Sequence, residues 1–334
     1  MVRGGPAVQV GVVLVTVLGL WVGARLLVDS VVRLARRAGL SDLVIGLTVV
    51  AVGTSTPELV VTTGAALEGL GDIAVGNVIG SNIYNLAFVL GVVSLVRVVP
   101  IERSLVHRDG LALVASTLLG GAVLFDLAVS RAEGALLLGL FLAYTAYLLR
   151  TGSDPPDPEA PPGSATNGPD PPPGIETSRT ERIGFPGRDL VLLVAGLAVV
   201  LASGDLMVGA ASELARGAGV SELVIGGTVV AAGTSTPEFA VSLVAVRRGR
   251  LGVSVGNVVG SNVFNLLGVL GLGAAIRPLS VGSSVFENVA WLLVVTVAMV
   301  AALWTGRQLS RPEGGLFAGS ELVRWALGLL GVLG

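Results

Sequence analysis

Near-continuous apolar runs, broken by short polar stretches, dominate the chain. Val8–Val22 and Leu190–Leu201 show the pattern: apolar residues follow one another without period-two alternation. Backbone groups in lipid must be satisfied inside the segment, so such runs predict membrane-spanning helices. A barrel strand would alternate instead. At ~20 residues per crossing, ten spans are predicted, over 8–34, 42–67, 73–96, 109–126 and 133–149, then 188–213, 222–246, 251–275, 285–304 and 317–334. The fold class expected is an all-α integral membrane protein. The run that follows Arg3 lacks a convincing small-residue cleavage site and is taken as a retained first span.

The polar positions inside these runs repeat at a constant offset of 180 residues. Ser41–Glu58 reads SDLVIGLTVVAVGTSTPE and Ser221–Glu238 reads SELVIGGTVVAAGTSTPE, identical at 15 of 18 positions. Val75–Gly91 and Val255–Gly271 agree at 12 of 17. The chain therefore divides into a first five-helix repeat, 1–150, a Pro-rich linker, 151–187, and a second five-helix repeat, 188–334. The linker holds DPPDPEAPPGS and PDPPPG, which cannot form a packed helix. Five is odd, so the second repeat starts on the opposite side of the membrane. The repeats are inverted, an architecture of transporters.

Composition agrees: 52% of residues are hydrophobic and 13% charged, about half the charge of a soluble domain. All basic residues are arginine. Fifteen of them fall in one set of loops and four (Arg3, Arg131, Arg216 and Arg277) in the other. Positive charge stays inside, which places the linker in the cytoplasm, both termini outside, and the protein in the plasma membrane as a multi-pass chain. The absence of cysteine excludes disulfides and thiolate metal sites. No nucleophile–base set or phosphate-binding loop is visible, so no enzyme activity, no cofactor and no nucleic-acid partner are expected. The partners expected are cations and membrane lipid, with the oligomeric state left open.

The chemistry lies in GTSTPE, at Gly53–Glu58 and again at Gly233–Glu238. A carboxylate within an apolar span costs ~2.5–3.5 kcal/mol on insertion scales. Two carboxylates brought together near the midplane repel unless protonated or bridged by a cation. A divalent cation with oxygen ligands neutralises both. Thr54 and Ser55 share the helical face of Glu58, and Thr234 and Ser235 that of Glu238. Pro57 and Pro237 withhold a hydrogen bond from the carbonyl four residues earlier. Freed carbonyls are therefore expected around Ala51–Gly53 and Ala231–Gly233. The next span adds a polar stripe, Asn77, Ser81 and Asn85, repeated as Asn257, Ser261 and Asn265. Gly76 with Gly80, and Gly256 with Gly260, form GxxxG pairs that let a neighbouring helix approach. One Ser/Thr-Pro kink or one GxxxG is ordinarily structural. The duplication of both motifs is what favours function.

GTSTPE followed by GNVIGSN-Ile-Tyr-Asn, and GTSTPE followed by GNVVGSN-Val-Phe-Asn, resemble the alpha-repeats of the calcium/cation antiporter superfamily, in particular its prokaryotic sodium/calcium exchanger branch. The resemblance covers nearly the whole chain outside the linker. It implies ten helices in two inverted halves, with cations held between the second, third, seventh and eighth. The ligands it implies are the Ala51 carbonyl, Thr54, Ser55, Glu58, Ser81 and Asn85, with the Ala231 carbonyl, Thr234, Ser235, Glu238, Ser261 and Asn265. Some relatives carry aspartate where this chain has Asn265, which argues against potassium co-transport. Proton/calcium exchangers of the superfamily carry a GNxxE motif instead of GTSTPE. The function expected is secondary active antiport of sodium against calcium by alternating access. A proton-coupled calcium antiporter and a passive cation channel are the alternatives.

Overall fold

The computed structural model describes residues 5–100, 108–151, 186–217, 231–306 and 308–329. Residues 152–185 of the linker and residues 222–230 of the predicted seventh span lie outside the described residues. The described chain is helical: α1 Pro6–Ala38, α2 Asp42–Thr54, α3 Thr56–Glu68, α4 Gly71–Val96, α5 Gly110–Val123, α6 Arg131–Thr151, α7 Pro186–Gly217, α8 Ala231–Thr234, α9 Thr236–Arg247, α10 Leu251–Ile276, α11 Val285–Gly306 and α12 Arg311–Leu329. Six of these are long and apolar enough to cross a membrane, or seven with α2 and α3 taken as one bent span. Against the ten predicted, α5 has only 14 residues, and α12 carries Arg311, Glu313, Glu321 and Arg324.

Helix α12 begins six residues before the predicted 317, and a capping box explains why. Ser310 Oγ and its backbone amide both donate to Glu313 Oε2, at 2.6 and 2.8 Å. Ser130 and Glu133 form the same box at the start of α6. Each box satisfies donors that a helix start leaves orphaned.

Helices α4 and α10 form the centre. From Val253 to Val263 every residue of α10 is buried. Such segments carry small and apolar residues all round and so must be enclosed by protein. The outer helices instead expose large apolar side chains, among them Leu14, Leu18, Leu136, Val194 and Val294, a surface suited to lipid.

Glycines set the close crossings. A Cβ on Gly196 of α7 would lie 2.7 Å from the Leu27 amide of α1. A Cβ on Gly260 of α10 would lie 2.5 Å from the Leu47 carbonyl of α2, and on Gly256 2.6 Å from that of Leu43. The predicted role of the Gly256–Gly260 pair therefore holds. The segment expected against Gly76 and Gly80 lies outside the described residues.

Four two-residue strands, absent from the helical prediction, join the halves. Val99–Pro100 pairs antiparallel with Gln308–Leu309, and Ala128–Val129 with Leu279–Ser280. Each pair takes one strand from each repeat.

Candidate cation site

The two GTSTPE segments form breaks in their spans. Helices α2 and α3 meet at 48°. The hinge is Ser55, at φ −81° and ψ 16°, and Ser235 takes φ −90° and ψ 9° between α8 and α9. Proline at the second position of α3 and α9 suits a helix start, where its missing N–H is not needed. One expectation needs correcting. The Ala51 carbonyl is not freed, because it accepts the Ser55 amide at 3.1 Å. Pro57 opens the carbonyl of Gly53, and Thr56 Oγ1 caps it at 2.8 Å.

At these breaks the two halves hold one another. Ser55 Oγ donates to Glu238 Oε1 at 2.7 Å, and Ser235 Oγ donates to Glu58 Oε1 at 2.9 Å. Both glutamates and both serines are fully buried. The second carboxylate oxygen of each, Oε2, has no hydrogen-bond partner. No arginine pairs with either glutamate among the described residues. Buried charge of this kind is strongly unfavourable unless something compensates it.

The polar stripe of α4 and α10 closes around this pair and splits into two roles. Asn77 and Asn257 are anchors. Asn77 Nδ2 donates to the Glu58 carbonyl at 3.2 Å and to Thr62 Oγ1 at 3.0 Å. Asn257 Nδ2 does the same to the Glu238 carbonyl at 3.3 Å and Ser242 Oγ at 3.0 Å. Thr54 Oγ1 lies 3.0 Å from Asn257 Oδ1. The rest of the stripe keeps several polar atoms without hydrogen-bond partners. Ser261 Oγ lies 3.5 Å from Glu238 Oε1 and 3.4 Å from the Ala51 carbonyl, and Ser81 is buried beside Glu58. Asn85 is wholly buried, with neither side-chain atom hydrogen-bonded, and Asn265 Oδ1 is likewise without a partner. Asn85 and Asn265 sit in π-helical turns, Tyr84–Val89 and Phe264–Val269. Such turns rotate side chains off the regular helical register and are frequent at functional sites.

Hydrogen bonds thus link Ser55, Ser235 and Ser261 to the two glutamates, with Ser81 beside Glu58, Ser261 at the Ala51 carbonyl and Thr54 at Asn257; Asn85 and Asn265 are buried on the same two helices, and Thr234 is buried at the end of α8. Ala231 opens α8. Sequence reasoning missed Asn82 and Asn262. Asn82 Nδ2 donates to the Asn262 carbonyl at 3.1 Å, and Asn265 Nδ2 donates to Asn82 Oδ1 at 3.1 Å. Their signal was present, since the GSN tripeptide carries them in both repeats.

Comparison with known proteins identifies the family. The family described as sodium/calcium exchanger protein matches residues 8–150 and 189–320. The putative antiporter CaxA of Alkalimonas amylolytica is 36% identical over 285 residues, covering 84% of this chain and 86% of its own. The sodium/calcium exchanger MaX1 of Methanosarcina acetivorans is 30% identical, covering 87% and 90%. A solved structure of the sodium-calcium exchanger NCX_Mj, soaked with Na+ and Ca2+, superposes with a TM-score of 0.80 at 29% identity, covering 96% of this chain and 98% of that one. The buried carboxylates, the duplicated motifs and these matches lead to one statement: the chain is a membrane transporter that belongs to the sodium/calcium exchanger protein family.

Proposed function

We propose that the chain is a secondary active antiporter that exchanges sodium for calcium at a site centred on Glu58 and Glu238. One observation carries this reading. Each carboxylate is fully buried, is oriented by a serine of the opposite repeat, and keeps one oxygen without a partner. The site therefore holds formal negative charge with only neutral groups around it. A calcium ion matches two carboxylates in charge, and an all-oxygen donor set suits hard cations such as calcium and sodium.

In this proposal Glu58 and Glu238 bind through carboxylate oxygens. Thr54, Ser55, Ser81, Thr234, Ser235 and Ser261 bind through hydroxyls, and Asn85 and Asn265 through amide oxygens. The Ala51 and Ala231 carbonyls contribute from the helix ends. Ala51 can do so with its amide bond retained, since a carbonyl oxygen has two lone pairs. Calcium and sodium then compete for shared ligands. Coupling follows if the empty site, with two uncompensated carboxylates, crosses poorly. Ten spans in two inverted five-helix repeats, 1–150 and 188–334, would expose the site to each side in turn. The linker, 151–187, would be cytoplasmic and both termini outside. The name sodium/calcium exchanger carried by the relative MaX1 supports the ion pair chosen.

The test is calcium uptake into proteoliposomes loaded with sodium and diluted into sodium-free buffer. Exchange predicts uptake that requires internal sodium and disappears in Glu58→Gln and Glu238→Gln. Uptake that follows an imposed pH gradient without sodium would replace sodium by protons as the counter-ion. Uptake that needs neither gradient would make the protein a channel.

A further inference from the structure

A cavity of about 530 Å³ lies against the α8–α9 break, with Ala232, Gly233, Thr236 and Phe239 in its wall. Its wall is apolar and strongly aromatic. Tyr84 stacks on Phe88 and on Trp325, with ring centroids 5.0 and 5.7 Å apart, and Phe88 meets Phe239 at 5.8 Å. The matching positions of the other repeat are filled differently. There Phe141 packs on Phe264 at 4.9 Å, and glycine, Gly268, stands where Phe88 stands in the first repeat. The position equivalent to Phe141 is Glu321, which is drawn instead to Arg324 at 2.6 Å. The aromatic lining of the cavity thus departs from the molecule's internal repeat.

Arg247 is the one charged residue of the wall. Its neighbours are neutralised: Arg248 pairs with Asp29 at 2.9 Å, and Arg250 meets Asp42 at 3.6 Å. Arg247 has no carboxylate partner among the described residues. Arg25 also has none, and lies 4.5 Å from the ring centroid of Trp21, another wall residue. Two cations beside an apolar cavity form the complement of an anionic amphiphile.

We propose that this cavity holds an acyl chain of an anionic membrane phospholipid, whose phosphate is bound by Arg247. The volume falls in the range of small-ligand sites, and the aromatic wall offers methylene groups no competing polar partners. A basic side chain between membrane helices is a recognised attraction for lipid phosphate, and a guanidinium binds phosphate oxygens in pairs. Gly233 and Thr236 belong to the wall, while Ser235 and Glu238 of the same break carry the carboxylate cluster. The lipid therefore packs against the same helical break that carries the proposed ion-binding residues. The proposal rests on the cavity and its cations and stands apart from the ion assignment.

The test reads lipid retention. The full chain is reconstituted in mixed phosphatidylcholine and phosphatidylglycerol vesicles, extracted in detergent and weighed by native mass spectrometry. A single retained phospholipid is expected, with phosphatidylglycerol preferred. Arg247→Gln lowers that preference about fivefold. Ala240→Phe, which narrows the cavity from its wall, removes retained lipid of both kinds. Gel filtration and melting establish that each variant is folded. A folded Ala240→Phe protein that keeps its phosphatidylglycerol overturns the proposal, as does an undiminished preference in Arg247→Gln. Retention of free fatty acid in place of phospholipid overturns it too.

Discussion

The hydroxyl of Ser55 donates to Oε1 of Glu238 across 2.7 Å, joining residues 183 positions apart in the chain. Ser235 returns the bond to Glu58 at 2.9 Å. Each carboxylate is therefore aimed by the opposite half of the molecule. A hydroxyl orients the charge but does not neutralise it, so the attraction for a cation is retained. An arginine in the same place would have cancelled that attraction.

Replacement of the carboxylates tests the charge itself. Calcium bound only to the folded protein raises its melting temperature by mass action. Glu58→Gln and Glu238→Gln are each expected to fold and to lose that shift along with exchange. A calcium-dependent shift of wild-type size in either variant would remove that residue from the site.

Ser55→Ala tests the aiming. It strips Glu238 Oε1 of its 2.7 Å donor while leaving the charge. Loss of a hydrogen bond to a buried charged group costs about 1–3 kcal/mol, so apparent calcium affinity should fall roughly tenfold. Ser235→Ala should do the same through Glu58. The calcium dependence of uptake measures both, and an unchanged affinity in both would assign the serines to packing alone.

Asn82→Ala tests the bridge between α4 and α10. It removes the side-chain donor to the Asn262 carbonyl and leaves the Asn265 side-chain amide without its acceptor. Buried unsatisfied groups cost about 1–3 kcal/mol each, so a clear fall in melting temperature is expected, together with weaker cation binding through a misplaced Asn265. Wild-type stability would show that the two helices are positioned without it.

Two glycine variants test the packing reading against each other. In Gly260→Ala the new Cβ would meet Leu47 O at 2.5 Å and Ala51 Cβ at 2.8 Å, an overpacking worth about 1–3 kcal/mol of destabilisation. In Gly64→Ala the new Cβ meets nothing within 4 Å, and helix propensity alone should leave the protein equal or up to ~1 kcal/mol more stable. Thermal melts of the pair decide the matter. Equal melting temperatures would contradict the close α2–α10 crossing.

Much of this was legible in the chain. The apolar runs located the helices to within a few residues wherever a turn or cap punctuated them, as at Gly69 between α3 and α4, which adopts φ 82°. The 180-residue offset paired GTSTPE with GTSTPE and predicted that Glu58 and Glu238 would meet. Helix α12 began earlier than predicted because Ser310 and Glu313 cap it, a signal that hydropathy ignores. The four short strands escaped notice because two residues carry no periodicity.

What the sequence determined alone was the set of parts: spanning helices, their duplication, and carboxylates with hydroxyl and amide neighbours inside apolar spans. Those follow from local chemistry, because composition and spacing act over a few residues. Only the tertiary structure decided how the polar stripe divides. Asn77 and Asn257 look like Asn85 and Asn265 in the chain, yet the first two are consumed by backbone and hydroxyl partners. Asn85 keeps its whole side chain free of hydrogen bonds, and Asn265 keeps its oxygen free. The reason is geometric. Whether a buried oxygen is free depends on which donors other helices bring within about 3 Å, and those donors lie up to 210 residues away in the chain.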